Sequence, residues 1–186
     1  MAAEGMNQVE INRWGSMPDR SRLLPEIDAI FFEASATKTF SSDAERAAFR
    51  ERWLGRYLTH FPEQAYLAIA ADGTVAGYLV GSLDDPARAP LFSDIGYFAS
   101  FAALTAKYPA QLHVNLDPRW RGQGIGARLV EAFAGDARRA GAKGVHVVTA
   151  RGMRNVGFYT ANGFHEAGAL SSNGRDIVFL ARSLLP

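Results

Sequence analysis

The segment Arg121-Gly-Gln-Gly-Ile-Gly126 sets three glycines at alternate positions behind Arg121 and ahead of Arg128, at the start of a helix-periodic run. A strand, a proline and then glycines opening a helix place a row of backbone amides at a helix N-terminus, where the macrodipole also favours an anion. Glycine suits such a loop because it adopts positive φ and lets a ligand approach the backbone closely. Arg121 and Arg128 are expected to add charge-assisted contacts to a phosphate or pyrophosphate. A nucleoside-triphosphate P-loop would continue with Lys-Ser or Lys-Thr, whereas Ala127-Arg128 follows here,. A dinucleotide loop formally fits Gly122-x-Gly124-x-x-Ala127. Yet the next strand leads into Ala150-Arg151 instead of an acidic residue, and too little chain follows for a doubly wound sheet,. An ordinary glycine-rich helix entry is the remaining reading.

The stretch ahead of that loop carries a second set of candidates. Along Leu112–Asp117, alternation assigns Leu112, Val114 and Leu116 to one face and His113, Asn115 and Asp117 to the other,. A polar face on a central strand suits a cleft, so His113 and Asp117 are candidate general bases, with a base acting through water as the third reading. Each also has an ordinary role, His113 as a hydrogen-bonded structural residue and Asp117 as a turn residue before Pro118. The chain has no cysteine, which excludes disulfides, thiolate nucleophiles and Cys-ligated metal sites,. No metal site is expected.

Composition narrows the partners. With 48% apolar and 21% charged residues and a net charge of +1, the 186-residue chain has the balance of a soluble globular protein,. No global field draws it to nucleic acid or an anionic membrane. Met1–Gln8 has neither the basic nor the apolar region of a signal peptide, and the apolar stretch Tyr66–Gly81 is interrupted by Asp72-Gly73,. A cytoplasmic location is the expectation.

The elements that must position these residues follow in order. Val9–Trp14 alternates as a first strand, and Leu23, Leu24, Ile27, Ile30 and Phe31 recur at helical spacing,. Ser41-Ser42-Asp43 caps a second helix that runs to about His60, with Pro62 as its stop,. Ala65–Ala71 and Thr74–Leu83 form a hairpin through Asp72-Gly73,. Asp84–Leu91 is a loop, and the aromatic-rich Phe92–Tyr108 reads as a helical core face or, in part, as the lining of a substrate cleft. After the glycine loop come a helix to about Ala140, a strand Val145–Thr149 and a short helix Met153–Ala161. Two strands, Phe164–Leu170 and Asp176–Ala181, meet at Asn173-Gly174. Arg138, Arg139 and Lys143 read as a solvated helix end or as contacts to an adenosine phosphate; Trp14, Trp53 and Trp120 read as packing residues. Hairpins with one β–α–β unit imply the mixed α/β (α+β) class, with a mostly antiparallel sheet of about six to seven strands flanked by helices. One domain spanning residues 1–186 is expected,.

Two motifs carry a resemblance. Leu116-Asp-Pro-Arg-Trp-Arg-Gly-Gln-Gly-Ile-Gly126 resembles the Arg/Gln-x-x-Gly-x-Gly/Ala signature of the GNAT acetyltransferases with its preceding proline, and Asn155-Val-Gly-Phe158-Tyr159-Thr-Ala-Asn-Gly163-Phe164 resembles the family's Phe-Tyr-x-x-x-Gly-Phe segment. Tyr108–Leu116 further resembles bacterial acetyltransferases related to the C-terminal domain of O-GlcNAcase. The resemblance implies acetyl-CoA as cofactor and direct acetyl transfer to a primary amine of a small molecule or a protein lysine. It implies that Leu116 pairs with the pantetheine arm, and that Arg121, Gly122, Gln123, Gly124, Ile125, Gly126, Ala127 and Arg128 hold the pyrophosphate. Tyr159 matches the tyrosine assigned as general acid, and Phe158 precedes it in the cofactor-binding segment. Where many members carry a cofactor-touching asparagine this chain has Gly152, and either Asn155, one turn later on the same helix face, substitutes for it or the contact is lost. The expected partners are acetyl-CoA and an amine acceptor, with the protein a monomer or homodimer. A non-catalytic acetyl-CoA-binding or pseudo-acetyltransferase module is the alternative.

Overall fold

The computed structural model describes residues 8–172 and 174–185. The signal-peptide reading therefore falls, except for Gln8, outside the described residues, as does Asn173 of the last turn. Seven strands form one sheet in the order β1-β2-β3-β4-β5-β7-β6, and the backbone clusters into two compact units.

The first unit contains residues 8–81 and 113–133. Its strands β1 (Val9–Arg13), β2 (Ala65–Ala70) and β3 (Val75–Ser82) run antiparallel in sequence. The β2–β3 turn closes as Asp72-Gly73 predicts: Gly73 takes φ +87°, and the Asp72 carboxylate accepts from the Thr74 amide at 2.9 Å,. Next to β3 lies β4 (Ala110–Leu116). The Asp117 amide donates to Ala76 O at 3.0 Å and Asn115 reaches Tyr78, so the contacts step in opposite directions, as antiparallel neighbours require,. Gly77 is demanded by this approach, because a Cβ there would stand 2.2 Å from Leu116 Cδ2 and 2.8 Å from Asn115 O,.

Helix α1 (Leu24–Ala34) has Pro25 in its first turn and buries Ile27, Ile30 and Phe31, the spacing of one helical face,. The second predicted helix is a composite. It runs as α2 (Asp43–Arg50), a π turn at Glu51–Gly55, and α3 (Arg56–His60), and Pro62 follows the end as expected,. Ser42 Oγ accepts from the Glu45 amide at 3.1 Å, while the Glu45 carboxylate accepts from the amide and hydroxyl of Ser41, a capping box displaced by one residue.

The second unit contains residues 82–112 and 134–185. The aromatic stretch forms two single-turn helices, α4 (Tyr97–Ser100) and α5 (Ala102–Thr105), instead of one long helix. Its rings are core: Phe92, Phe98 and Phe101 are all buried. Helix α6 (Ile125–Arg139) starts in the first unit and ends in the second, burying Ile125, Leu129, Val130, Phe133, Ala134 and Ala137 along one stripe,. Strand β5 (Gly144–Ala150) is parallel to β4 at Ala110–Val145 and Gln111–His146 and antiparallel to the last strand. After α7 (Arg154–Ala161), strands β6 (His165–Ser172) and β7 (Arg175–Ser183) complete the antiparallel edge. Arg138 Nε donates to Leu184 O at 3.3 Å and Arg139 pairs with Asp136, so the basic end of α6 is engaged locally,.

Candidate active site

Asp117 closes β4 and caps the short 3₁₀ turn Pro118–Trp120, its carboxylate accepting from the Arg119 amide at 2.9 Å. The same carboxylate grips the Arg119 guanidinium at 3.0 and 2.9 Å. This hydrogen-bonded pair holds Asp117 below the usual carboxylate range,. Its side chain is thus committed to the turn.

Gly122 and Gly124 both take φ +76°, a left-handed conformation that costs other residues roughly 1–2 kcal/mol,. A Cβ at either would meet nothing within 4 Å. Conformation, not crowding within the chain, therefore selects glycine at both, and the backbone there is open to a large group. The helical ladder of α6 begins with the Arg128 amide donating to Gly124 O at 3.1 Å. The amides of Ile125, Gly126 and Ala127 come before it, the orphan donors that a helix N-terminus offers to an anion. This cradle of amides and open glycines fits a diphosphate.

The two arginines make contacts within the first unit. Arg121 Nε donates to Leu116 O at 3.2 Å and its terminal nitrogen pairs with Glu33 of α1 at 2.9 Å. Arg128 donates to Val9 O of β1 at 2.8 Å, and Gln123 donates to Arg119 O at 3.0 Å. These three side chains brace the loop against its own unit.

On β4, the polar face is built as the alternation predicts. Asn115 Nδ2 donates to the Tyr78 hydroxyl at 2.8 Å. His113 Nε2 lies 3.2 Å from the Tyr57 hydroxyl, and its ring meets those of Trp53 and Tyr57 edge to face at 5.7 and 5.4 Å. Burial pushes the imidazole down to about 4, leaving it neutral at physiological pH,. Tyr57, Tyr78 and Trp53 are the residues that sequence reasoning missed as neighbours of this face. Their signal was slight, since the Trp53 and Tyr57 spacing of four reads equally as core packing.

The remaining candidates stand in the second unit. Tyr159 of α7 is 3% exposed, between Phe158 and Phe164 at 5.2 and 5.3 Å. Asn155 accepts from Thr149 Oγ1 at 3.1 Å, fastening the start of α7 to the end of β5. Gly152 ahead of it takes φ +79°.

Residues 27–164 match the family model described as the acetyltransferase (GNAT) family. The chain belongs to the GNAT family. It is accordingly an N-acetyltransferase by class, and acetyl-CoA is the acetyl donor of that family. The same architecture recurs in the crystal structure of SsHAT, with a TM-score of 0.71 and 22% identity over 96% of this chain and 100% of that one. An N-acetyltransferase from Staphylococcus aureus Mu50 gives 0.64 and 17% over 96% and 99%. The NatC complex bound to Gag peptide and CoA gives 0.64 and 16%, also over 96% and 99%. At these identities the likeness to this GNAT protein is one of fold. No helix among the described residues is long and apolar enough to cross a membrane.

Proposed function

We propose that this protein binds acetyl-CoA through the amides from Gly122 to Ala127 and transfers the acetyl group directly to a primary amine. The observation that carries the cofactor reading is the pair of open, positive-φ glycines immediately before the first amides of α6. Acetyl-CoA supplies an activated thioester carbonyl. The chain's own residues bind, orient and move protons. Arg121 holds the loop to Leu116 and Glu33, and Arg128 holds it to β1, so their cofactor role is to position amides. The end of β4 at Leu116 is the proposed partner of the pantetheine arm. Tyr159 is the proposed proton donor to the departing thiolate, with Phe158 and Asn155 beside it on α7 as cofactor-binding residues. His113 is the proposed polar group on the acceptor side. Asp117 serves the turn.

The unit of function is the whole chain, 1–186, as one acetyltransferase domain, and within the family we place it near the bacterial branch related to the O-GlcNAcase C-terminal domain on the strength of Tyr108–Leu116. Small-molecule amines and protein amino groups are both acceptor classes for such a site, and a cytoplasmic monomer or homodimer is the assembly proposed. Calorimetric titration of acetyl-CoA into wild type and Gly124→Glu tests the cofactor site. Saturable binding that disappears in the variant is expected, followed by thiol release on adding an amine. Binding without thiol release from any amine would mark a non-catalytic acyl-CoA module, and no binding at millimolar cofactor would overturn the reading altogether.

A further inference from the structure

We propose that the acceptor is a weakly basic amine borne on an aromatic body, docking as the neutral amine on the surface made by Trp53, His113 and Asn115. This rests on the acetyl-transfer reading and adds the substrate class to it. The surface is built in two layers. Trp53, His113 and Asn115 keep partial exposure, while Tyr57 and Tyr78 behind them are 0% and 1% exposed. The buried hydroxyls hold the exposed groups in place through the Tyr57–His113 and Tyr78–Asn115 hydrogen bonds. The exposed groups are thus presented by a braced layer instead of by mobile surface chains.

Their chemistry is aromatic and uncharged. Trp53 and Asn115 carry no charge, and burial keeps His113 neutral,. Asp117, the acid on the same face of the strand, is spent on Arg119. An alkylammonium docking against these three groups would give up water without gaining a counter-ion from any of them, a poor exchange. Burial, which holds the imidazole at about 4, also makes His113 a weaker base toward an alkylammonium than an ordinary histidine,. An arylamine avoids both problems, since its nitrogen shares its lone pair with the ring and is uncharged at neutral pH. Its ring gains from edge and stacking contacts with Trp53. Asn115, having committed one N–H to Tyr78, retains a carboxamide oxygen that accepts from the amine N–H,. The nitrogen lone pair then attacks the thioester carbonyl carbon. The C–N bond forms and the C–S bond breaks, nitrogen loses one proton and the thiolate gains one, so amine and thioester become amide and free thiol with no other reagent.

The test compares aniline, 1,4-diaminobutane and a lysine-containing peptide as acceptors in a thiol-release assay. Aniline is expected to exceed both alkylamines by at least about tenfold in kcat/KM, the equivalent of one good aromatic contact. Trp53→Ala should raise the aniline KM by about tenfold and leave the acetyl-CoA KM unchanged, with Trp53→Phe recovering most of the loss. Because Trp53→Ala could fold poorly, a second readout uses wild type alone: the ¹⁵N ring signals of His113, assigned with His113→Gln, titrated with each amine. A saturable shift with aniline and none with diaminobutane is expected. Equal or better use of diaminobutane or the peptide overturns the proposal, as does an unmoved His113 signal with aniline. A His113 shift without thiol release from any amine would support the ligand class while removing the acetyl-transfer reading.

Discussion

His113 is held neutral by its surroundings, and that has a cost in acid. Its folded pKa, about 4, lies below the ordinary histidine value of about 6.5,. As pH falls through that window the unfolded chain takes up a proton that the native ring refuses, so stability drops. One such group gives a slope of at most about 1.4 kcal/mol per pH unit, reduced by the ring's residual exposure. Denaturant titrations at pH 7, 6, 5 and 4.5 should show this slope in wild type and a flatter profile in His113→Gln. Asp117 yields the opposite kind of expectation. Removing a general base costs about 10²–10⁴ in rate. Asparagine keeps the cap on Pro118–Trp120 and loses only a pair with an exposed arginine, a surface interaction worth under about 1 kcal/mol,. Asp117→Asn should therefore retain acetyl transfer within about threefold of wild type, read as kcat with saturating amine.

Elements show where local chemistry is enough and where it is overruled. Helix α2 buries no residue, so its start depends on the cap at Ser42. Ser42→Ala should lower stability by about 1 kcal/mol, and hydrogen exchange should speed up at the amides of Asp43–Arg46 before it does so in α6. The Ser41-Ser42-Asp43 signal was legible because a cap acts within one turn. The π turn at Glu51–Gly55 was not legible. Nothing in its composition distinguishes it from an α-helix, and it joins α2, which buries no residue, to α3, which buries Arg56, Tyr57 and Leu58,. The Phe92–Tyr108 stretch is a similar case. Its rings are core as their number suggested, but the chain turns at Phe101, with φ −98° and ψ 14°, and the helix splits.

At the scale of the molecule, the clearest consequence of the cofactor reading is linkage. A ligand bound only by the folded protein at a hundred times its Kd stabilises it by about 2.7 kcal/mol. For a chain of this length that corresponds to a rise in Tm of about 5–10 °C. Scanning calorimetry with and without acetyl-CoA should show that rise in wild type, and its absence in Gly124→Glu. An equal rise in both proteins would mean that the cofactor binds elsewhere.

The sequence by itself determined the strands and helices of regular period, the Asp72-Gly73 hairpin, and the loop whose glycines need positive φ. Each of these is decided by neighbours within a few residues, so it can be read along the chain. Only the tertiary structure decided where the polar side chains went. Arg121 meets Glu33 across 88 residues of sequence, Arg128 meets Val9 across 119, and Tyr57 meets His113 across 56. Such partners have no signature in local spacing, because they come together only when the fold closes and buried or braced polar groups must be satisfied by whatever the closure brings near.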